Sequence, residues 1–432
     1  MSFVSSQRPD RDLDRGRLFG LPRPVWLLGW VSLTTDSATE AIYPLLPFFL
    51  TRVLGAGAVS LGIVEGAAEA TSSILKIISG RVADRSRRKR PLVLFGYSVS
   101  SLARPLIAVA TSWTHVFTVR VFDRIGKGVR GAPRDAMLAV WATPQTRGKV
   151  YGFHRAMDHA GAVLGPAMAS LFLFFYPDRY RTLFALTIIP GAIAVGLILL
   201  VREEGSHSAT EVRLKADAIA DSADATADSA NTTADSAHAT AGRGFAISTT
   251  DRLPRQFRLF MLVLGLFTLG NSSDAFLLLK LTDVAGTAKY VPLMWAALHV
   301  VKATTSVVGG SWSDRVGRRT VIALGWTVYA IVYAGFAVTT TLEALVSWFL
   351  VYGFYFGFAE GTEKALVADL APEGRRGLAF GIYNAVQGLG ALAASIVFGM
   401  LWSAFGPAAA FGVGAALAVA ASALLFVVVN QR

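Results

Sequence analysis

Long apolar stretches alternate with short polar ones along almost the whole chain. Leu183 to Val201 and Ala408 to Val429 contain no charged side chain, and they reach or approach the ~20 residues a helix needs to cross a ~30 Å hydrocarbon layer. The same reading gives twelve predicted spans, near 25–51, 59–79, 91–112, 114–141, 149–176, 181–201, 257–283, 289–311, 319–341, 343–370, 376–404 and 407–429. The first is expected to be a retained helix and not a cleaved leader, because its pattern continues through Asp36, Glu40 and Pro44 to Leu50. The pattern predicts an all-α integral membrane protein.

One segment breaks the alternation. Residues 203–256 include a run of Ala, Asp, Ser and Thr from Asp224 to Gly242 that has little to bury, so a disordered cytoplasmic linker is expected there. The division that follows is 1–24 as an N-terminal segment, 25–202 as a first six-helix bundle, 257–429 as a second, and 430–432 as a tail.

The two halves repeat each other. Gly80, Asp84, Arg85 and Arg88 recur as Gly310, Asp314, Arg315 and Arg318, an offset of 230 residues, each set between the second and third span of its half. Pro144, Arg147 and Gly152 recur as Pro372, Arg376 and Gly381. Matched loops carry the same positive bias, so the halves are read as parallel, pseudo-symmetric repeats about an axis along the membrane normal, with a cavity between them.

Composition agrees with a lipid solvent. The chain of 432 residues is 53% hydrophobic and 16% charged, with a mean hydropathy of +0.49, too little polar area to cover a water-soluble globule. Its net charge of +12 does not point to nucleic acid, because the basic residues cluster at span ends on alternate loops. That bias places both termini in the cytoplasm of a cell or plasma membrane. No cysteine is present, which removes disulfides and thiolate chemistry. With no phosphate-cradling loop, nucleophile elbow or H-E-x-x-H, catalysis is unsupported and no cofactor is expected.

The doubled loop motif resembles the hallmark loop of the major facilitator superfamily. Arg120 to Gly128 on the fourth span is similar to that family's arginine-and-glycine motif, and Gly161 to Pro166 to its antiporter motif. The resemblance implies twelve helices in two six-helix bundles, alternating access, function as a monomer, and a cavity lined by helices 1, 4, 7 and 10. It also implies that Gly80, Asp84, Arg85, Arg88, Gly310, Asp314, Arg315 and Arg318 gate the cavity. Physically, Asp84 and Asp314 can pair with Arg88 or Arg318 at helix ends as latches.

Charges inside the spans carry the functional reading, since each is costly in lipid. Arg120, Arg124, Lys127, Arg130 and Arg134 form one basic stripe on the fourth helix. Two readings stay open for it: internal pairing with Glu65, Glu69, Asp123, Asp135 and Asp158, or capture of an anionic or zwitterionic solute. Asp36 and Glu40, Glu65 and Glu69, and His154 and Asp158 are spaced four apart and share helix faces. Asp36, Glu40, Glu65 and Glu69 are candidate proton-coupling groups. Candidate solute contacts are Asp36, Glu40, Arg124, Lys127, Arg130, Asn271, Asp274, Glu360 and Lys364, with Glu363 as a further counterpart charge. Pro44 and Pro47 predict a kink in the first helix, and Gly126, Gly128 and Gly131 predict close packing of the fourth. The expected function is secondary transport of a small charged or zwitterionic organic solute, coupled to protons and leaning to export. A divalent-cation path through Asp36, Glu40, Glu69, His154, Asp158 and His299 is the alternative, and a non-transporting sensor or scaffold is a third.

Overall fold

The structure, a computed structural model, describes residues 17–18, 21–86, 88–141, 146–201, 253–372 and 375–428. All twelve predicted spans are helical. They are α1 (Arg23–Ile42, continuing in turns to Val53), α2 (Ala58–Arg85), α3 (Arg90–Ala103, continuing to Val109), α4 (Trp113–Val140), α5 (Arg147–Phe175) and α6 (Tyr180–Leu186 and Ile188–Leu200). The second half holds α7 (Arg255–Gly270 and Ala275–Ala285), α8 (Val291–Val316), α9 (Arg318–Val338), α10 (Leu342–Leu370), α11 (Arg376–Phe405) and α12 (Pro407–Val428). The expected linker lies outside the described residues except at its very end.

Eight of these helices are long and apolar enough to cross a membrane on length and composition alone. The other four are α1, α2, α4 and α8; α1, α2 and α4 carry several charges within the span, and all four turn charged or polar faces inward. Large apolar side chains such as Val109, Val338, Phe405 and Val427 stay exposed on the outside, as a lipid-facing surface requires.

Helix irregularities follow the local sequence. Pro44 and Pro47 remove backbone donors, and α1 tightens to a 3-10 turn at Tyr43–Leu45 and widens at Phe49–Val53. The Thr51 hydroxyl donates to the Pro47 carbonyl at 2.8 Å, so that carbonyl is already occupied. α7 breaks at Asn271–Asp274, where a continuous helix is predicted. Four weak helix formers follow Gly270 there, and tyrosines take up the freed polar groups. Tyr329 donates to the Gly270 carbonyl at 2.9 Å, and the Asn271 amide donates to the Tyr355 hydroxyl at 3.1 Å.

The repeat in sequence is a repeat in packing. In the first half α1 packs on α5 and α6, α2 on α4, and α3 on α4 and α6; in the second α7 packs on α11 and α12, α8 on α10, and α9 on α10 and α12. The halves meet through α2 on α11 and α5 on α8, which are equivalent pairs under the same symmetry. Two cross-half contacts join residues 230 and 231 positions apart, the repeat offset and one more. Tyr43 and Ser273 hydroxyls lie 3.4 Å apart, and Arg52 Nη2 lies 2.8 Å from Asp283 Oδ1. Equivalent positions of two repeats can meet only at their symmetry axis, so α1 and α7 cross there.

Close approach needs glycine at some of these crossings. A Cβ on Gly126 would lie 2.5 Å from the Gly96 carbonyl, and one on Gly62 2.2 Å from the Ser395 carbonyl. Gly131, expected to serve packing too, has nothing within 4 Å of its Cβ position.

Candidate functional site

Between the halves lies a cavity of about 490 Å³ lined by α1, α2, α4, α7, α8, α10 and α11. It closes towards the ends of α1 and α7, where Tyr43 meets Ser273, Arg52 meets Asp283, and the Trp295 indole donates to Glu40 Oε2 at 2.8 Å. Towards the turns that carry the basic motifs, Lys76, Arg155, Glu360 and Lys364 are exposed within their spans. The cavity therefore opens on that face.

One wall, from α2 and α4, is basic. Lys76, Arg124 and Lys127 line it, and none of the three makes an ion pair with the described residues. Arg124 is 7% exposed and its Nε has no hydrogen-bond partner. Behind it, Arg120 forks onto Glu65 with bonds of 3.0 and 2.7 Å, and Arg104 Nε donates to Asp123 Oδ1 at 2.9 Å. Four buried guanidiniums, Arg104, Arg120, Arg124 and Arg130, thus share two buried carboxylates, Glu65 and Asp123. Glu69 lies on the same wall, and one carboxylate against Lys76, Arg124 and Lys127 leaves net positive charge on the side that faces the cavity.

The opposite wall is acidic and aromatic. Asp274, Glu360 and Glu363 line it with Tyr352, Tyr355, Phe356 and Tyr383. Glu360 pairs with Lys364 at 2.9 Å and faces Arg155 across the halves at 3.8 Å. Glu363 is different. It is 2% exposed and accepts from the Trp326 indole at 2.9 Å, the Tyr383 hydroxyl at 3.1 Å and the Gln387 amide at 3.2 Å. Among the described residues no cation lies within ion-pair distance of it.

Several expectations change. Arg130 is aimed away from the cavity, into α3, where it donates to Ser100 at 2.6 Å and stacks 4.5 Å from the Tyr97 ring centre. Asp36 shares a face with Glu40, but α5 crosses it at Gly161, and the residue is not part of the cavity wall. Asp158 accepts from Ser32, and His154 lies 3.6 Å from Asp158, a cluster within the first half. Arg318 pairs with Asp369 at the end of α10; the side chains of Asp84, Arg85 and Asp314 lie outside the described residues. Glu40, Arg124, Lys127, Asn271, Asp274, Glu360 and Lys364 do come together on the cavity wall, as do Glu65 and Glu69. Among the described residues no three His, Asp or Glu side chains come close enough to hold a metal ion; four donors of the divalent-cation reading meet in pairs, His154 3.6 Å from Asp158 and His299 3.9 Å from Glu40. Missed at first were Lys76, Trp295 and the tyrosines of α10 and α11; the run Tyr352 to Phe356 was the available signal.

The family model described as Major Facilitator Superfamily matches residues 25–301 and 262–432. The chain belongs to that superfamily. An uncharacterised MFS-type transporter of Methanocaldococcus jannaschii is 31% identical over 411 residues, 94% of each chain. Multidrug resistance protein MdtH of Cronobacter sakazakii is 25% identical over 342 residues, 78% of this chain and 76% of that one. Among solved structures, a POT family transporter in complex with a thioalcohol conjugated peptide matches with a TM-score of 0.73 at 12% identity, covering 95% and 96% of the two chains. A D-xylose-proton symporter matches at 0.68 and 16%, covering 94% and 97%. These two likenesses show the fold alone. This major facilitator is thus a multi-pass membrane transporter and not an enzyme.

Proposed function

We propose that this transporter moves a small organic solute with an anionic group, most simply a zwitterion, by alternating access and in exchange for protons. The observation that carries the reading is the basic wall: Lys76, Arg124 and Lys127 face the cavity with no ion-pair partner among the described residues. Charged groups left unpaired inside a membrane mark a binding path, and Arg suits carboxylate or phosphate. Proton exchange rests on Glu363, whose Oε1 is fixed as an acceptor by the indole. Its Oε2 faces two partners, Tyr383 and Gln387, that can each turn from donor to acceptor, so a proton has a place on that oxygen. Asp36 and Glu69 remain proton candidates beside it. Basic turns support a cytoplasmic location for the open face, and the multidrug resistance name of the MdtH relative supports export.

The test is a thermal-stability screen of the purified protein against organic anions, zwitterions, organic cations and divalent metals. A ligand at 100 times its Kd adds ~2.7 kcal/mol. A hit among anions or zwitterions that disappears in Arg124→Ala is expected. A response to metals alone, or a hit indifferent to Arg124→Ala, overturns the reading.

A further inference from the structure

Lys302 lies on α8, and its ammonium occupies a box of three residues from three helices. The nitrogen sits 3.4 Å from the centre of the Phe356 ring on α10 and 5.0 Å from that of Trp295 on α8. It lies 3.5 Å from Asp274 Oδ2, where α7 breaks. The other oxygen of Asp274 accepts from Tyr352 at 2.7 Å, which fixes the carboxylate in place. One carboxylate with two aromatic faces is a general recognition site for an ammonium group.

Asp274, Trp295 and Phe356 all line the central cavity, whereas Lys302 is not part of its wall. The chemistry the box offers is not particular to a lysine. An alkylammonium arriving through the cavity presents the same group to the same three surfaces. A displaced Lys302 would find a second carboxylate, Glu360, on the wall of the same cavity.

We infer that the Asp274, Trp295 and Phe356 box is the subsite for an ammonium group of the transported solute, with Lys302 as an internal stand-in that leaves when the solute enters. This rests on the transport reading and extends it: the anionic end lies on the basic wall and the cationic end in the box. Competition with a tethered lysine also keeps the box from standing empty with an uncompensated carboxylate, which is costly where it is largely shielded from water.

The test uses the purified full chain and n-butylammonium chloride as the probe, with sodium chloride at equal ionic strength as the control. Binding is followed by melting temperature and by Trp fluorescence. Lys302→Met vacates the box, and its apparent affinity for the probe should rise about tenfold or more over the unmutated protein. Adding Phe356→Leu to Lys302→Met should remove most of that gain, because a desolvated cation–π contact is lost. Lys302→Met binding no tighter than the unmutated chain, or a gain that survives Phe356→Leu, overturns the inference. Should Lys302→Met fail to fold, Lys302→Gln, which also withdraws the competing ammonium, carries the test. It should raise the apparent affinity for the probe about tenfold over the unmutated chain, and an unchanged affinity is the adverse result. Arg124→Ala should leave the butylammonium response intact, so failure of the box and failure of the basic wall are read separately.

Discussion

Glu65 and Glu363 are both buried carboxylates on the cavity wall, at 5% and 2% exposed, yet their surroundings assign them opposite work. Glu65 is held by the fork of Arg120 through two bonds, and removing one partner of such a pair leaves an uncompensated buried charge. Glu65→Gln should therefore cost about 3–5 kcal/mol of stability, seen as a lower melting temperature in detergent. Glu363 has three neutral donors, so Glu363→Gln keeps the fold within ordinary surface-like limits while transport of the screened solute loses its pH dependence. A pH profile unchanged in Glu363→Gln would move the proton site elsewhere. Spacing alone groups Glu65 with Glu69 as candidate proton-coupling groups. Helical periodicity tells which residues share a face; it is silent on what a neighbouring helix brings opposite, and here the neighbour is Arg120.

At the scale of elements, the spans were legible because apolar length and turn chemistry are local properties. The break in α7 was not, because its stability comes from Tyr329, Tyr333, Tyr352 and Tyr355 on two other helices. Glycine roles divide in the same way. All the glycines of α4 looked alike in sequence, but Gly126 touches the α3 backbone and Gly131 touches nothing. Gly126→Ala should force α3 and α4 apart at a cost of about 1–3 kcal/mol. Gly131→Ala should be neutral or stabilising by up to about 1 kcal/mol, the gain in helix propensity. Melting curves of the two variants side by side check both, and equal effects would mean that the α3 and α4 crossing is looser than described.

For the whole molecule, the proposed alternating access requires that the seal on the far face be weak enough to open. The Arg52 and Asp283 pair fits that demand, since its side chains are 59% and 35% exposed, and exposed pairs contribute only about 0.2–1 kcal/mol. Arg52→Ala should accordingly shift the balance of states by no more than about fivefold. Because the two residues hold nearly equivalent places in the repeats, 231 positions apart against an offset of 230, exchanging them is close to neutral in geometry. The double exchange Arg52→Asp with Asp283→Arg should restore the original balance, while either single exchange sets like charges together and favours the far-side-open state. The chain contains no cysteine, so a single Ser273→Cys, placed where α1 and α7 touch, reports the seal cleanly. Its labelling by an impermeant thiol reagent from the far face should rise in both single exchanges and fall back in the double one. If the double exchange labels as fast as the singles, the pair is incidental, and the seal rests on the part-buried contacts of Tyr43 with Ser273 and of Glu40 with Trp295 instead.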